Sequence, residues 1–393
     1  MKDFNFCSPT RVVFGREAEK QVGQQVAAFG GTKVLLHYGG GSAERSGLLA
    51  RIRSALTEAG IAYVELGGVQ PNPRVSLVRE AVELCRREGV DFILPVGGGS
   101  TIDSAKAAGM ALYANCDPWD FYSRKAVPSG CVPIGCVLTI AATGSEMSDS
   151  SVITNEDGWE KRGVNSEFCR CRFALMNPEL TMTLPDYQTA CGCTDIMMHA
   201  MERYFCPQEG AALTTALTEA LLRTMITMAK RVRENPKDYD ARANIMWAGS
   251  LAHNNLLHLG NGMQGDWACH QLEHELGGMF DVAHGAGLAA VWGSWARYVY
   301  RTNAKKFARF AVEVCAVERG ADDEETALRG IAAMEDFYRS IGMPTNLREL
   351  GLKVTEEQLD ALAYNCTFYR TRTIGNFRKL GEADIRAIYA MAR

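Results

Sequence analysis

From residue 33 onward, short apolar runs alternate with stretches of helical periodicity. KVLLHY at 33 to 38, IAYVEL at 61 to 66, DFILPV at 91 to 96 and CVPIGCVLT at 131 to 139 predict strands, and Ala43 to Ala59 and the stretches after Pro73 and Ser100 predict helices between them. Such alternation implies a parallel sheet covered by helices. After Leu184-Pro185 the pattern changes: residues 210 to 234, 237 to 258 and 303 to 317 carry helical spacing, and strand-like runs nearly vanish. Eight of the twelve prolines precede residue 185, in keeping with a second half built of helices, whose interiors exclude proline. Pro185 suits the first turn of a new helix. The expected organisation is an α/β domain over 1–184 followed by an all-α domain over 185–393.

At ~150 residues per domain, 393 residues suffice for two to three domains and a sizeable core. Hydrophobic residues at 47% and charged residues at 22% exclude a disordered or collagen-like chain. With 42 basic against 46 acidic side chains, the chain has no broad positive field for a phosphate backbone, so no nucleic-acid partner is expected. The amino terminus, MKDFNFCSPTRVVFG, lacks the apolar stretch and cleavage site of a secretory signal, and no run of about 18 apolar residues follows. A cytoplasmic location without membrane attachment is expected. Thirteen cysteines without framework spacing point to reduced thiols, and Cys169/Cys171 and Cys191/Cys193, in C-x-C pairs, read as small buried hydrophobes rather than metal ligands.

Two glycine loops follow predicted strands. Gly97-Gly98-Gly99-Ser100 ends DFILPV and precedes a helical run beginning Thr101-Ile102-Asp103. Backbone amides there can hold a pyrophosphate, with Ser100 capping the helix or bonding phosphate. The usual dinucleotide fingerprint has glycine at the sixth position, where this chain has Ile102, so the loop alone also reads as a tight strand-to-helix turn. Gly39-Gly40-Gly41-Ser42 stands in the same relation to KVLLHY. It contains no acidic residue to grip a ribose 2'-hydroxyl, and Arg45 follows, which favours NADP(H) over NAD(H).

The second half carries different chemistry. Asp195 and His199 lie four apart in a helical stretch, on one face. His270 and His274 repeat that spacing in a helix that Gly277-Gly278 is expected to end, and His284 opens the next segment. One aspartate and three of these histidines would hold a divalent cation, Fe2+ or Zn2+, with an open position for a substrate oxygen. His270 to His274 also fits H-x-x-E-H, a zinc peptidase pattern in which Glu273 is the general base, but a peptidase needs neither the glycine loops nor the Asp195/His199 pair.

Taken together, the chain resembles the iron-containing alcohol dehydrogenase family, especially its butanol dehydrogenase-like members. The resemblance rests on PTRVVFG at 9 to 15, GGGS at 39 to 42, PNP at 71 to 73, GGGSTIDSAK at 97 to 106, ATGSEMS at 142 to 148, NPELTMTLP at 177 to 185, DIMMHAMERY at 195 to 204 and DWACHQLEHELGGMFDVAHGAG at 266 to 287. It implies a dinucleotide-binding first domain and a metal- and substrate-binding second one. The implied ligands are Asp195, His199, His270 and His284, with His274 as a nonligand histidine that relays a proton. The implied cofactor contacts are Gly97, Gly98, Ser100, Thr139, Thr143 and Ser148, with Lys161 on the ribose side, and the 39 to 42 loop (Gly39, Gly40, Gly41, Ser42) is similar to that of NADPH-using members. Asn177 stands where Asp-Pro is usual, and Ile140 replaces a common threonine. The expected activity is hydride transfer between nicotinamide and a small primary alcohol or aldehyde, in a homodimer. A lyase related to dehydroquinate synthase shares the fold and cofactors but would want a basic phosphate pocket; a noncatalytic interaction protein would need none of these features.

Overall fold

The computed structural model describes residues 1–207 and 210–393. It forms two compact units, Cys7–Leu184 and a second comprising Met1–Phe6 with Pro185–Arg393. The first six residues therefore belong with the helical unit: the Lys2 amide donates to the Gly260 carbonyl at 2.9 Å, a long-range pairing with no local signature.

The first unit holds strands β1 (Arg11–Phe14), β2 (Lys33–Tyr38), β3 (Ala62–Leu66), β4 (Phe92–Gly97), β5 (Gly135–Leu138), β6 (Ser150–Asn155), β7 (Glu160–Asn165) and β8 (Phe173–Met176). Its helices are α1 (Val22–Ala28), α2 (Ser42–Arg45), α3 (Leu48–Glu58), α4 (Val75–Glu88), α5 (Gly99–Ala114) and α6 (Trp119–Tyr122). Six strands form a parallel sheet in the order β1-β8-β5-β4-β2-β3. Chain order reverses between β2 and β4, so the two glycine loops leave the carboxyl ends of the adjacent strands at the switch point, where open α/β sheets bind ligands. Val34, Leu36, Leu94 and Val96 are buried against Val22, Val26, Leu49, Ile52 and Leu56 from α1 and α3. These strands read as continuous apolar runs because helices cover both faces.

Several boundaries differ from expectation. The helix expected over 43–59 is two helices, broken at Gly47, whose φ of 70° lies in the left-handed region. The strand expected over 131–139 shrinks to Gly135–Leu138. α5 begins at Gly99, so Ser100 lies inside the helix and no side chain caps it. The β6–β7 antiparallel hairpin had no sequence signal, because its strands, SSVITN and EKRGVN, are largely polar and carry no unbroken apolar run. It docks on α5 through buried polar groups: Asp103 accepts from the Val152 amide at 2.9 Å, and Lys106 donates to the Ser148 and Ser150 carbonyls at 2.8 and 2.9 Å. Asn177 caps the turn after β8 and donates to Glu19 at 3.0 Å, a bond an ionised aspartate could not make.

His37 on β2 is fully buried. Its Nδ1 lies 2.8 Å from the Leu66 carbonyl, which can only accept, so Nε2 accepts from Ser104 Oγ at 2.9 Å in the neutral ring. Burial pushes its pKa down to about 4, against the opposing bond to Leu66. A depressed histidine contributes stability that is complete above pH ~6.5 and is lost as pH falls toward 4, roughly 3 kcal/mol in all. Urea unfolding should therefore show His37→Gln losing about 3 kcal/mol less than wild type over that range. Parallel losses would contradict this assignment.

The second unit contains α7 (Asp186–Tyr204), α8 (Ala212–Glu234), α9 (Tyr239–His253), α10 (Ala268–Phe280), α11 (His284–Val299), α12 (Ala304–Glu313), α13 (Asp323–Ser340), α14 (Glu356–Cys366) and α15 (Glu382–Ala392). No extended strand occurs among its described residues. Phe205 packs against Trp295, Phe307 and Phe310 at ring separations of 5.6, 4.3 and 5.2 Å. Pro185 precedes α7 as its cap residue rather than lying in its first turn. α10 runs through Gly277-Gly278 and stops only at Asp281, whose φ of 50° turns the chain. No helix among the described residues is long and apolar enough to cross a membrane.

Candidate metal and nicotinamide sites

Three helices bring the candidate ligands together within the second unit. α7 presents Asp195, His199 and Glu202 at i, i+4 and i+7, one face of a 3.6-residue helix. α10 supplies His270 in its first turn, and α11 begins with His284. The fourteen-residue separation is thus the length of α10 beyond His270 plus the turn that redirects the chain.

One carboxylate oxygen sits at the focus. Asp195 Oδ1 lies 3.3 Å from His199 Nδ1, 3.7 Å from His270 Nε2 and 3.6 Å from His284 Nε2. Asp195, His199 and His270 are buried, and Asp195 Oδ1, His199 Nδ1 and His270 Nε2 have no hydrogen-bond partner. Orphaned buried polar atoms are costly, and three of them converging on one point imply a missing common partner. Ligands at 2.0–2.2 Å from a tetrahedral cation stand about 3.4 Å apart, close to the spacings here. An imidazole and carboxylate set suits Fe2+ or Zn2+. Among the described residues, Asp195, His199 and His270 are the one group of three or more side chains with metal-site spacing.

Burial, reinforced by the His253 and His270 rings, holds His199 well below the usual histidine range, as a neutral ligand requires. Burial also pulls His270 down, but Asp195 and Glu202 outweigh it and bring its pKa to about 9. His199 stacks on His253 at 4.1 Å, and Trp267 meets His270 edge-on at 5.1 Å. His274 is half-buried, with its ring 6.0 Å from that of His284, outside the group around Asp195. The Glu273 carboxylate is fully buried and bonded to His284 Nδ1, which leaves the peptidase pattern without its general base.

In the first unit, Gly39–Ser42 and Gly97–Ser100 follow adjacent strands. A Cβ at Gly97 would strike Thr101 at 2.3 Å, and one at Gly99 would strike Thr143 at 2.3 Å, so both glycines are required by packing. The Thr139 amide donates to the Gly97 carbonyl at 3.0 Å, which places Thr139 beside the loop; Thr139 and Thr143 are half-exposed. Ser148 and Lys161 are buried, and Ser148 Oγ lies 3.3 Å from Lys106 Nζ. Gly39-Gly40-Gly41-Ser42 leads into the single turn of α2, so this loop lacks the long helix start of the other. Arg45 folds back over Gly41, its guanidinium 2.5 Å from where a Cβ would stand. Glu44 is held by Arg53 at 2.8 and 2.9 Å. All thirteen cysteines are free, with Cys169, Cys171 and Cys193 buried and Cys191 partly so.

Sequence reasoning missed Glu202, although its i+7 relation to Asp195 was available, and saw Glu273 only inside the peptidase pattern. His253 lies seventeen or more residues from every candidate ligand in sequence and had no signal.

The model for "Iron-containing alcohol dehydrogenase" matches residues 9–178, and that for "Fe-containing alcohol dehydrogenase family, C-terminal" matches residues 189–393. The NADH-dependent butanol dehydrogenase A of Clostridium acetobutylicum is 38% identical over 390 residues, 99% of each chain. The NADPH-dependent aldehyde reductase YqhD of Escherichia coli is 36% identical over 356 residues, 90% of each chain. The crystal structure of an NADH-dependent butanol dehydrogenase A from Thermotoga maritima superposes with a TM-score of 0.95 at 38% identity, covering 100% of this chain and 99% of that one.

Proposed function

The chain belongs to the iron-containing alcohol dehydrogenase family and is an NAD(P)H-dependent alcohol dehydrogenase, and from that premise we propose that it interconverts small primary alcohols and aldehydes with a preference for NADP(H). The observation that carries the reading is the convergence of three unpartnered buried atoms, Asp195 Oδ1, His199 Nδ1 and His270 Nε2. With His284 they form the proposed site for one Fe2+ or Zn2+.

When bound, the cation supplies Lewis acidity toward the substrate oxygen and the nicotinamide supplies or accepts the hydride. The protein's part is to hold and orient. Asp195 and the three imidazoles form the cation's cage, and no side-chain nucleophile is needed. His274, outside that cage, is assigned delivery of the proton to the alcohol oxygen during aldehyde reduction. The glycine loops, with Thr139, Thr143, Ser148 and Lys161, are assigned to the dinucleotide. Support for NADP(H) comes from Arg45 over Gly41 and from Glu44, whose carboxylate is committed to Arg53 rather than to a ribose hydroxyl.

Butanal reduction by the metal-loaded protein tests this reading with each cofactor. kcat/KM should favour NADPH over NADH about tenfold, the worth of one charge-assisted contact to the 2'-phosphate, and Arg45→Ala should erase most of that ratio. A preference for NADH, or a ratio unchanged in Arg45→Ala, would overturn the cofactor assignment.

A further inference from the structure

Two buried carboxylates stand directly behind the histidines that face Asp195. Glu202 is 2% exposed, and its Oε1 accepts from His270 Nδ1 at 3.1 Å and from the His270 backbone amide at 3.0 Å. It thereby satisfies an otherwise orphaned amide in the first turn of α10 and fixes the ring on the same residue. Glu273, fully buried on α10, reaches across to His284 Nδ1 on α11. Gly287, one turn into α11, leaves it room: a Cβ there would stand 2.8 Å from Glu273 Cγ.

An ionised carboxylate can only accept hydrogen bonds, so each Nδ1 must carry a proton. Nε2 of each ring is then the nitrogen left to face a cation, which displaces any proton held there on binding, and those atoms lie 3.7 and 3.6 Å from Asp195 Oδ1. The pairing also makes each imidazole a stronger donor. Burying two carboxylates beside Asp195 is expensive unless they are paired, and here each is paired with a ring aimed at the same point. His199 is supported differently, by stacking on His253.

We propose that Glu202 and Glu273 are positioning residues that set the tautomer, orientation and basicity of His270 and His284 toward the cation, so that metal affinity depends on them. The Glu273 of the H-x-x-E-H pattern thus serves a ligand on the next helix rather than a substrate water. This inference rests on the metal-site reading above.

The test is zinc affinity by chelator competition for the metal-free wild type, Glu202→Gln and Glu273→Gln, with cobalt(II) absorption as a reporter of ligand geometry. Each variant should bind zinc about 10–100-fold more weakly and show an altered cobalt spectrum, while the metal-free thermal midpoint stays near that of the wild type. Gly287→Ala keeps both carboxylates but crowds Glu273 and should weaken zinc about tenfold, which provides a check should a glutamine variant not fold. Wild-type affinity and spectrum in the variants that fold would overturn the inference while leaving the metal reading standing. A wild-type protein that binds no zinc would overturn both.

Discussion

Asp195→Ala is expected to bind its cation about 10²- to 10³-fold more weakly than wild type, because a four-ligand site worth ~10–16 kcal/mol loses roughly 3 to 4 kcal/mol with one ligand. The effect should be the largest of any single ligand change, since Asp195 Oδ1 is the atom the three ring nitrogens share. Metal content after dialysis checks this: retained metal in Asp195→Ala would contradict the site.

Gly285→Ala acts on the frame instead of the ligands. A Cβ at Gly285 would lie 2.1 Å from the Cys191 carbonyl oxygen and 2.7 Å from Cys191 C and Cα, all backbone atoms that cannot rotate aside. That contact fixes α11 against α7 one turn before Asp195, and His284 is the residue preceding Gly285. Relieving the clash must push the start of α11 outward and carry His284 away from Asp195. The variant should lose about 3 kcal/mol, an overpacking cost at the upper end of the usual range. In a unit of this size that lowers the thermal midpoint by roughly 6–12 °C. Zinc binding should weaken with it, and an unchanged midpoint with unchanged zinc affinity would show that α11 adapts without moving His284.

The parallel sheet was legible because β2 and β4 are buried on both faces and so appear as unbroken apolar runs. β1 and β8, four residues each, are too short for periodicity to register, and the β6–β7 hairpin is held by Asp103 and Lys106 rather than by an apolar stripe. Glycine misled where its conformation was not special. Gly277-Gly278 stays helical at a cost of about 1 kcal/mol per residue, and the left-handed stop falls to Asp281. Gly47 does take a positive φ and does break a helix, yet the two cases look alike in a one-dimensional pattern. At the metal site, spacing placed Asp195 and His199 on one face, but separating His270 and His284 from His274 required the family resemblance. The carboxylates behind the rings are tertiary facts: Glu202 and His270 are 68 residues apart, and only folding joins them.

On the proposed function, aldehyde reduction depends on a cation held by the group around Asp195. The most direct measurement follows NADPH absorbance with butanal for protein stripped by a chelator and then reconstituted anaerobically with Fe2+ or Zn2+, beside His270→Ala treated in the same way. No turnover is expected in the stripped protein, with recovery as one ion per chain is restored and none in His270→Ala. Full turnover by the stripped wild type, or recovery in His270→Ala equal to that of wild type, would contradict it.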